Sequence, residues 1–317
     1  MATGGQVHLP YTGTWEIDSA SGETYRIQVA WPMHWTDRSG HTDVPVLLVY
    51  LGRHTGDNAD RSSSYLVDGN AVFLTAAEAA WRRAAAPRFQ GGGLIVAIGY
   101  PLHDRVFSPR RNNDLTLPYR PTASGPFGGA DHFLDFIEQT VKPFIANDVL
   151  AGSTVGREAL FGHSLGGLFS LYSLFTRPSL FDCILPISPS IWWDDLHILE
   201  YEERFREGKW VTQHVGERRP ALMMAFGTWE QDFPRWSGET EEDYQDRRDR
   251  AQERAMVDNV KALYGRLRDC NLLSGLALKA YPEEDHGTVM ACGLSRFLTT
   301  FFEEWPISVG PPQGVDS

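Results

Sequence analysis

Cysteine is scarce in this 317-residue chain, and a long apolar run is missing altogether. Cys183, Cys270 and Cys292 are widely scattered, with no C-x-x-C pair and no histidines at zinc spacing. Neither a disulfide scaffold nor a protein-held metal is therefore expected. No stretch reaches the roughly 18 apolar residues of a membrane span. The opening Met1-Ala2-Thr3-Gly4-Gly5 has neither the basic segment nor the apolar run of a secretory leader, so a cytoplasmic protein is the expectation. Positive charge is also short: 29 Lys and Arg face 41 Asp and Glu, a net charge of -12. That balance argues against a nucleic-acid or anionic-membrane surface, since both need a basic patch. Nothing in the residues points to an obligate protein partner.

What is present is an ordinary globular composition, 42% hydrophobic and 22% charged. The pattern predicts one α/β domain over 1–317 with its core at about 10–305. Thr14 to Asp18 and Thr24 to Trp31 alternate apolar and polar residues, as the strands of a half-buried antiparallel hairpin do. The later apolar runs at Val46–Val49, Leu94–Ile98, Ala159–Phe161, Cys183–Ile187, Leu222–Phe226 and Leu276–Tyr281 are continuous instead. Continuous runs suit parallel strands covered by helices on both faces. Helical spacing joins Phe133, Phe136, Ile137, Val141, Phe144 and Ile145, with Pro143 expected to kink or shorten that helix. Tyr244 to Arg268 reads as another helix with a solvated, charge-rich face. The Pro- and Gly-rich tail at 306–317 is expected to fray.

Gly162-His163-Ser164-Leu165-Gly166 is a G-x-S-x-G pentapeptide between a buried strand and an apolar helical run. That context is what a nucleophile elbow requires, because the glycines permit the sharp turn that lifts the serine hydroxyl off the sheet. A serine hydroxyl attacks only when a base takes its proton and a carboxylate orients that base, in the chain order Ser, acid, His for this architecture. Of ten histidines, only His197, His214 and His286 follow Ser164, and only His286 sits just beyond a strand and before a helical run. The acid is expected after the strand Leu222–Phe226, where Glu230 and Asp232 both qualify. Glu230 is favoured for its place nearer the strand end and its longer reach.

An oxyanion needs two aimed backbone N–H donors. Leu165, opening the elbow helix, is one candidate, and Asn70, in the early loop Tyr65 to Ala71, is the other. Two segments, 51–64 and 103–127, have no regular pattern, and loops of that length in a compact domain are usually functional or disordered. The second follows a buried strand, where open α/β sheets bind ligands, so its Arg110, Arg111 and Asp114 are candidate cleft residues. Trp192 and Trp193, after the strand ending at Ile187, are candidate aromatic walls.

The segments Leu66-Val67-Asp68-Gly69-Asn70-Ala71-Val72-Phe73, Arg110 to Thr116, Gly162 to Leu168, Ser188 to Trp193 and His286 to Met290 together resemble the esterase-D-type α/β hydrolases. Within that group they resemble the ferric-siderophore esterases, and most of all the intracellular fungal enzymes that open triacetylfusarinine-type siderophores. The resemblance runs from about residue 10 to 305 and implies an α/β-hydrolase fold, a mostly parallel sheet with an N-terminal antiparallel hairpin. It implies a serine esterase acting on a small-molecule ester, with no cofactor, any iron arriving already chelated by the substrate. A general or feruloyl-type carboxylesterase, an acyltransferase of the same fold, and a non-catalytic siderophore-binding protein are the other readings. The chain departs from the family pattern in roughly 14 additional residues at 51–64, a loop insertion that reads either as a lid over the site or as a plain loop on the sheet edge, and that bears directly on where Asn70 lies.

Overall fold

The computed structural model describes residues 9–35, 39–42, 44–52, 69–84, 92–102, 108–118, 127–209, 219–304 and 306–307. Eight strands form one sheet: β1 (Thr12–Asp18), β2 (Thr24–Ala30), β3 (Val44–Gly52), β4 (Leu94–Gly99), β5 (Val155–Ser164), β6 (Cys183–Ile187), β7 (Ala221–Gly227) and β8 (Gly275–Tyr281). Their order is β1-β2-β4-β3-β5-β6-β7-β8. The β1/β2 and β2/β4 pairs are antiparallel and every other pair is parallel. The expected hairpin and all six later strands are thus found, most of them a residue or more longer than their apolar cores.

Strand side chains alternate between faces, and here each set has its own helices. Val46, Leu48, Val96, Ile98, Leu160, Ile184, Leu222 and Met224 join one buried cluster with Phe133, Leu168, Phe169, Phe205, Val260 and Leu263. Leu47, Val49, Ile95, Ala97, Phe161, Leu185, Met223 and Ala225 join the other, with Val72, Phe73, Leu294 and Phe297. Burial of both faces explains why these strands read as unbroken apolar runs.

The helices are α1 (Gly69–Ala84), the short α2 (Arg111–Asp114), α3 (Ala130–Phe136), α4 (Lys142–Phe144), α5 (Leu165–Thr176), the short turn α6 (Trp193–Leu196), α7 (Ile198–Arg206), α8 (Glu241–Arg254), α9 (Met256–Leu267) and α10 (Val289–Glu303). Two have local irregularities. Around Pro143, π turns at Ile137–Val141 and Ile145–Val149 flank α4, so the helical run continues past the proline in irregular form. The wider turns accommodate a residue with no N–H to donate. The single helix expected over Tyr244 to Arg268 is two, broken at Ala255 in the left-handed region (φ 45°, ψ 45°). The break has a tertiary cause, because the Gln231 side-chain carbonyl accepts the N–H groups of Val257 (3.1 Å) and Asp258 (3.2 Å) that open α9.

Most of segment 51–64, Tyr65 to Asp68, much of 103–127 and the tail at 308–317 lie outside the described residues. No described helix is long and apolar enough to cross a membrane.

Candidate active site

The parallel strands β5, β6, β7 and β8 are neighbours and all release their chains at the same sheet edge. Carboxyl ends of such strands are where open α/β sheets place their chemistry. Ser164 closes β5, with φ 59° and ψ -120°, a left-handed backbone that a non-glycine residue adopts only when its surroundings hold it there. The glycines make this possible: a Cβ on Gly162 would fall 2.0 Å from the Gly166 carbonyl oxygen. The end of β3 runs alongside, with Gly52 opposite Ser164 in the sheet register.

From the edge of β8 the chain turns at Asp285, whose carboxylate accepts the N–H groups of Gly287 (2.8 Å) and Thr288 (2.9 Å) ahead of α10. The Thr288 hydroxyl accepts the Asp285 N–H in return at 3.0 Å. This closed loop fixes His286. Its Nε2 lies 3.0 Å from Ser164 Oγ and its Nδ1 lies 2.8 Å from Glu230 Oε2. The Glu230 side chain is wholly buried, whereas the imidazole remains 32% exposed. The second carboxylate oxygen, Oε1, accepts the Gly227 N–H at 2.7 Å and the Ser188 hydroxyl. A buried carboxylate with three partners compensates the desolvation of its charge.

Of the two candidate acids the structure brings Glu230 to the imidazole, at the end of a 3₁₀ turn, Thr228–Glu230. Asp232 is exposed to solvent. Leu165 is the first residue of α5 and Asn70 the second of α1; N–H groups in a first helical turn have no acceptor within their own helix.

The cleft candidates divide. Arg110 lies over the Tyr25 ring (4.3 Å) and the Tyr100 ring (4.7 Å), pairs with Glu23 (2.5 Å) and donates to the Thr24 carbonyl (2.8 Å). Asp114 is buried and accepts the hydroxyls of Tyr25 and Tyr100, both at 3.0 Å. These two are engaged in anchoring their loop to β2 and β4. Arg111 is buried beside them, with Nη1 donating to Asn112 Oδ1 at 3.4 Å. The tryptophans also part: Trp193 is buried against Phe127, while Trp192 is half-buried with the Arg254 guanidinium over its ring at 5.0 Å. Among the described residues no group of His, Cys, Asp and Glu could hold a metal ion.

Several site residues escaped sequence reasoning. Ser188, Ser190, Gly227, Asp285 and Arg254 are common residue types in loops or at a helix end, and only Ser188 and Ser190 carry a signal, their place in the Ser-Pro-Ser segment directly after a buried strand.

A hydroxyl, an imidazole and a buried carboxylate in line are the parts of nucleophilic acyl transfer. A family model described as "Putative esterase" matches residues 19–265. The chain belongs to that esterase family. It is a carboxylic ester hydrolase. The esterase is 46% identical over 304 residues to the siderophore triacetylfusarinine C esterase of Aspergillus fumigatus, covering 95% of this chain and 96% of that one. It is 40% identical to the siderophore enterobactin esterase of Emericella nidulans, covering 89% and 90% of the two chains. Among solved structures it superposes on the siderophore hydrolase EstB from Aspergillus nidulans with a TM-score of 0.85 at 41% identity, covering 96% of this chain and 100% of that one. The α/β-hydrolase fold of the esterase is thus shared over nearly its whole length.

Proposed function

We propose that this esterase opens the ester bonds of a hydroxamate siderophore of the triacetylfusarinine C type, delivered with its iron already chelated, and that a single α/β domain does so in the cytoplasm. The chemistry rests on one observation, the unbroken Ser164–His286–Glu230 relay. The substrate class rests on the 46% identity to the A. fumigatus enzyme. Three free cysteines suit a reducing compartment.

In this reading Glu230 Oε2 accepts a hydrogen bond from His286 Nδ1–H and stays ionised, which leaves Nε2 as the acceptor for the Ser164 hydroxyl. Ser164 Oγ attacks the ester carbonyl as its proton passes to Nε2. The resulting imidazolium faces the buried Glu230 charge, which stabilises it and holds the ring in place. The oxyanion is received by the Leu165 N–H, with Asn70 as the second donor; each such donor is worth about 3–4 kcal/mol of barrier. His286 then protonates the departing alkoxide to give the free alcohol. Water, activated by the same imidazole, attacks the acyl-enzyme and releases the acid. Trp192, half-buried beneath Arg254 and two residues from Ser190, supplies an aromatic wall for a bulky ligand. The Arg111 guanidinium remains a candidate donor to carbonyl-rich ligands; Arg110 and Asp114 act by holding its loop.

The test is incubation with a panel of ferric hydroxamate and catecholate siderophores and simple aryl esters, read by mass spectrometry. Linearised trihydroxamate products support the assignment. Cleavage of aryl esters alone, or acyl transfer to an added alcohol in place of hydrolysis, overturns it.

A further inference from the structure

The loop after β6, Ser188-Pro189-Ser190, touches both ends of the relay. Ser188 is fully buried, and its hydroxyl donates to Glu230 Oε1, the oxygen facing away from His286. Two residues on, Ser190 is also buried, with Oγ 3.3 Å from Ser164 Oγ and its N–H donating to the Ser164 carbonyl at 3.0 Å. The segment is clamped between neighbours. Ser188 N–H donates to the Ala225 carbonyl of β7 at 2.8 Å, and Pro189 lies so near α5 that a Cβ on Gly167 would come within 2.9 Å of Pro189 Cα. Ser188 holds a left-handed backbone, φ 44°, a conformation that is strained for a residue with a side chain. Glycine would remove that strain but has no hydroxyl.

The donor directions follow from the relay. With Nδ1–H of His286 donating its hydrogen bond to the Glu230 carboxylate, Nε2 accepts from Ser164, whose only hydroxyl proton is thereby used. The 3.3 Å contact between the serines must then run from Ser190 O–H to Ser164 Oγ.

We propose that Ser188-Pro189-Ser190 is a two-ended brace for ester cleavage: Ser190 is a further catalytic residue whose hydroxyl donates to the attacking oxygen, and Ser188 is a positioning residue that orients Glu230. Ser190 sets the Ser164 side chain toward His286 and offers a hydrogen bond to Oγ as its proton leaves. Ser188, with the Gly227 N–H, occupies Oε1 and so turns Oε2 to the imidazole. One short loop thus couples the placement of nucleophile and acid, two groups 66 residues apart in the chain that are each hydrogen-bonded to His286 rather than to one another. The inference rests on the relay reading above and not on the identity of the siderophore.

The experiment compares Ser188→Ala, Ser188→Gly and Ser190→Ala with the unaltered enzyme and with Ser164→Ala, on p-nitrophenyl acetate and on ferric triacetylfusarinine C. Melting curves and the rate of labelling by a fluorophosphonate are recorded alongside. Losing a hydrogen bond to a charged or charging oxygen is expected to lower kcat by about 10–100-fold with KM within about twofold. Ser188→Gly is the decisive arm: it is expected to melt at or above the temperature of Ser188→Ala yet lose as much kcat and as much labelling rate. If glycine restores activity, Ser188 serves only the backbone and its half of the brace is refuted. If Ser190→Ala labels at the unaltered rate, the Ser190 half is refuted. Should Ser164→Ala itself stay active, the relay reading fails; should only Ser164→Ala lose activity, the relay stands and the brace falls.

Discussion

Gly227 and Glu284 lie so close that a Cβ on the glycine would sit 2.2 Å from the Glu284 carbonyl oxygen. Gly227 ends β7 and carries the acid loop, and Glu284 belongs to the loop that carries His286. Two further bonds tie these loops, Trp229 N–H to the Glu284 carbonyl at 3.0 Å and Glu283 N–H to the Thr228 hydroxyl at 2.9 Å. The short distance from carboxylate to imidazole depends on this approach. Gly227→Ala is expected to push the loops apart, costing about 1–3 kcal/mol of stability through overpacking and lowering kcat disproportionately. Thermal melts and steady-state kinetics on the variant check this; a variant with full kcat would show that the approach is not needed.

Glu230 and Asp232 are two residues apart but differ in burial and partners. Glu230→Gln removes the charge that faces the imidazolium and is expected to lower kcat by about 10³–10⁴-fold. Asp232→Asn, at an exposed position, is expected to stay within about twofold. Measured kcat values for the two variants on one substrate separate the assignments.

Burial pushes the Cys292 thiol up to about 11 and the enclosed Cys183 thiol well above its ordinary value. A thiol whose value is raised stays protonated at neutral pH, and its thiolate fraction grows only as pH climbs toward the raised value. Iodoacetamide at pH 7.5 is therefore expected to leave Cys183 and Cys292 largely unmodified and esterase activity intact, with Cys292 alkylation rising steeply above pH 10. Peptide mapping after alkylation at both pH values reads this directly.

The Arg254 guanidinium over Trp192 stands next to the loop that reaches Ser164. If the pair forms one wall of the substrate site, Trp192→Ala and Arg254→Ala will raise KM for the ferric siderophore several-fold and leave hydrolysis of a small aryl ester nearly unchanged. Equal effects on both substrates would place the pair outside the binding site.

The placement of Ser164 and His286 together was legible because each rests on local signals: a strand, a tight glycine turn and a helix around Ser164, and a strand followed by a loop and helix around His286. The continuous apolar strands were legible because burial on both faces removes polar residues from the whole run. Other features depend on contacts between distant segments. The break at Ala255 is set by Gln231, 24 residues earlier, and nothing between Tyr244 and Arg268 announces it. Arg110 and Asp114 read as cleft residues because their partners Glu23 and Tyr25 come from the distant hairpin. The roles of Ser188 and Ser190 exist only once β5, β6 and β7 lie side by side. The choice between Glu230 and Asp232 turned on one turn of 3₁₀ helix, which buries the first and leaves the second in solvent.

The most direct test of the account is to incubate ferric triacetylfusarinine C with the unaltered enzyme and with Ser164→Ala, and to follow ring opening by mass spectrometry while recording melting curves for both. The account predicts stepwise addition of water across the ester bonds by the unaltered enzyme, and an intact ring with Ser164→Ala at an unchanged melting temperature. Ring opening by Ser164→Ala at the unaltered rate would contradict it.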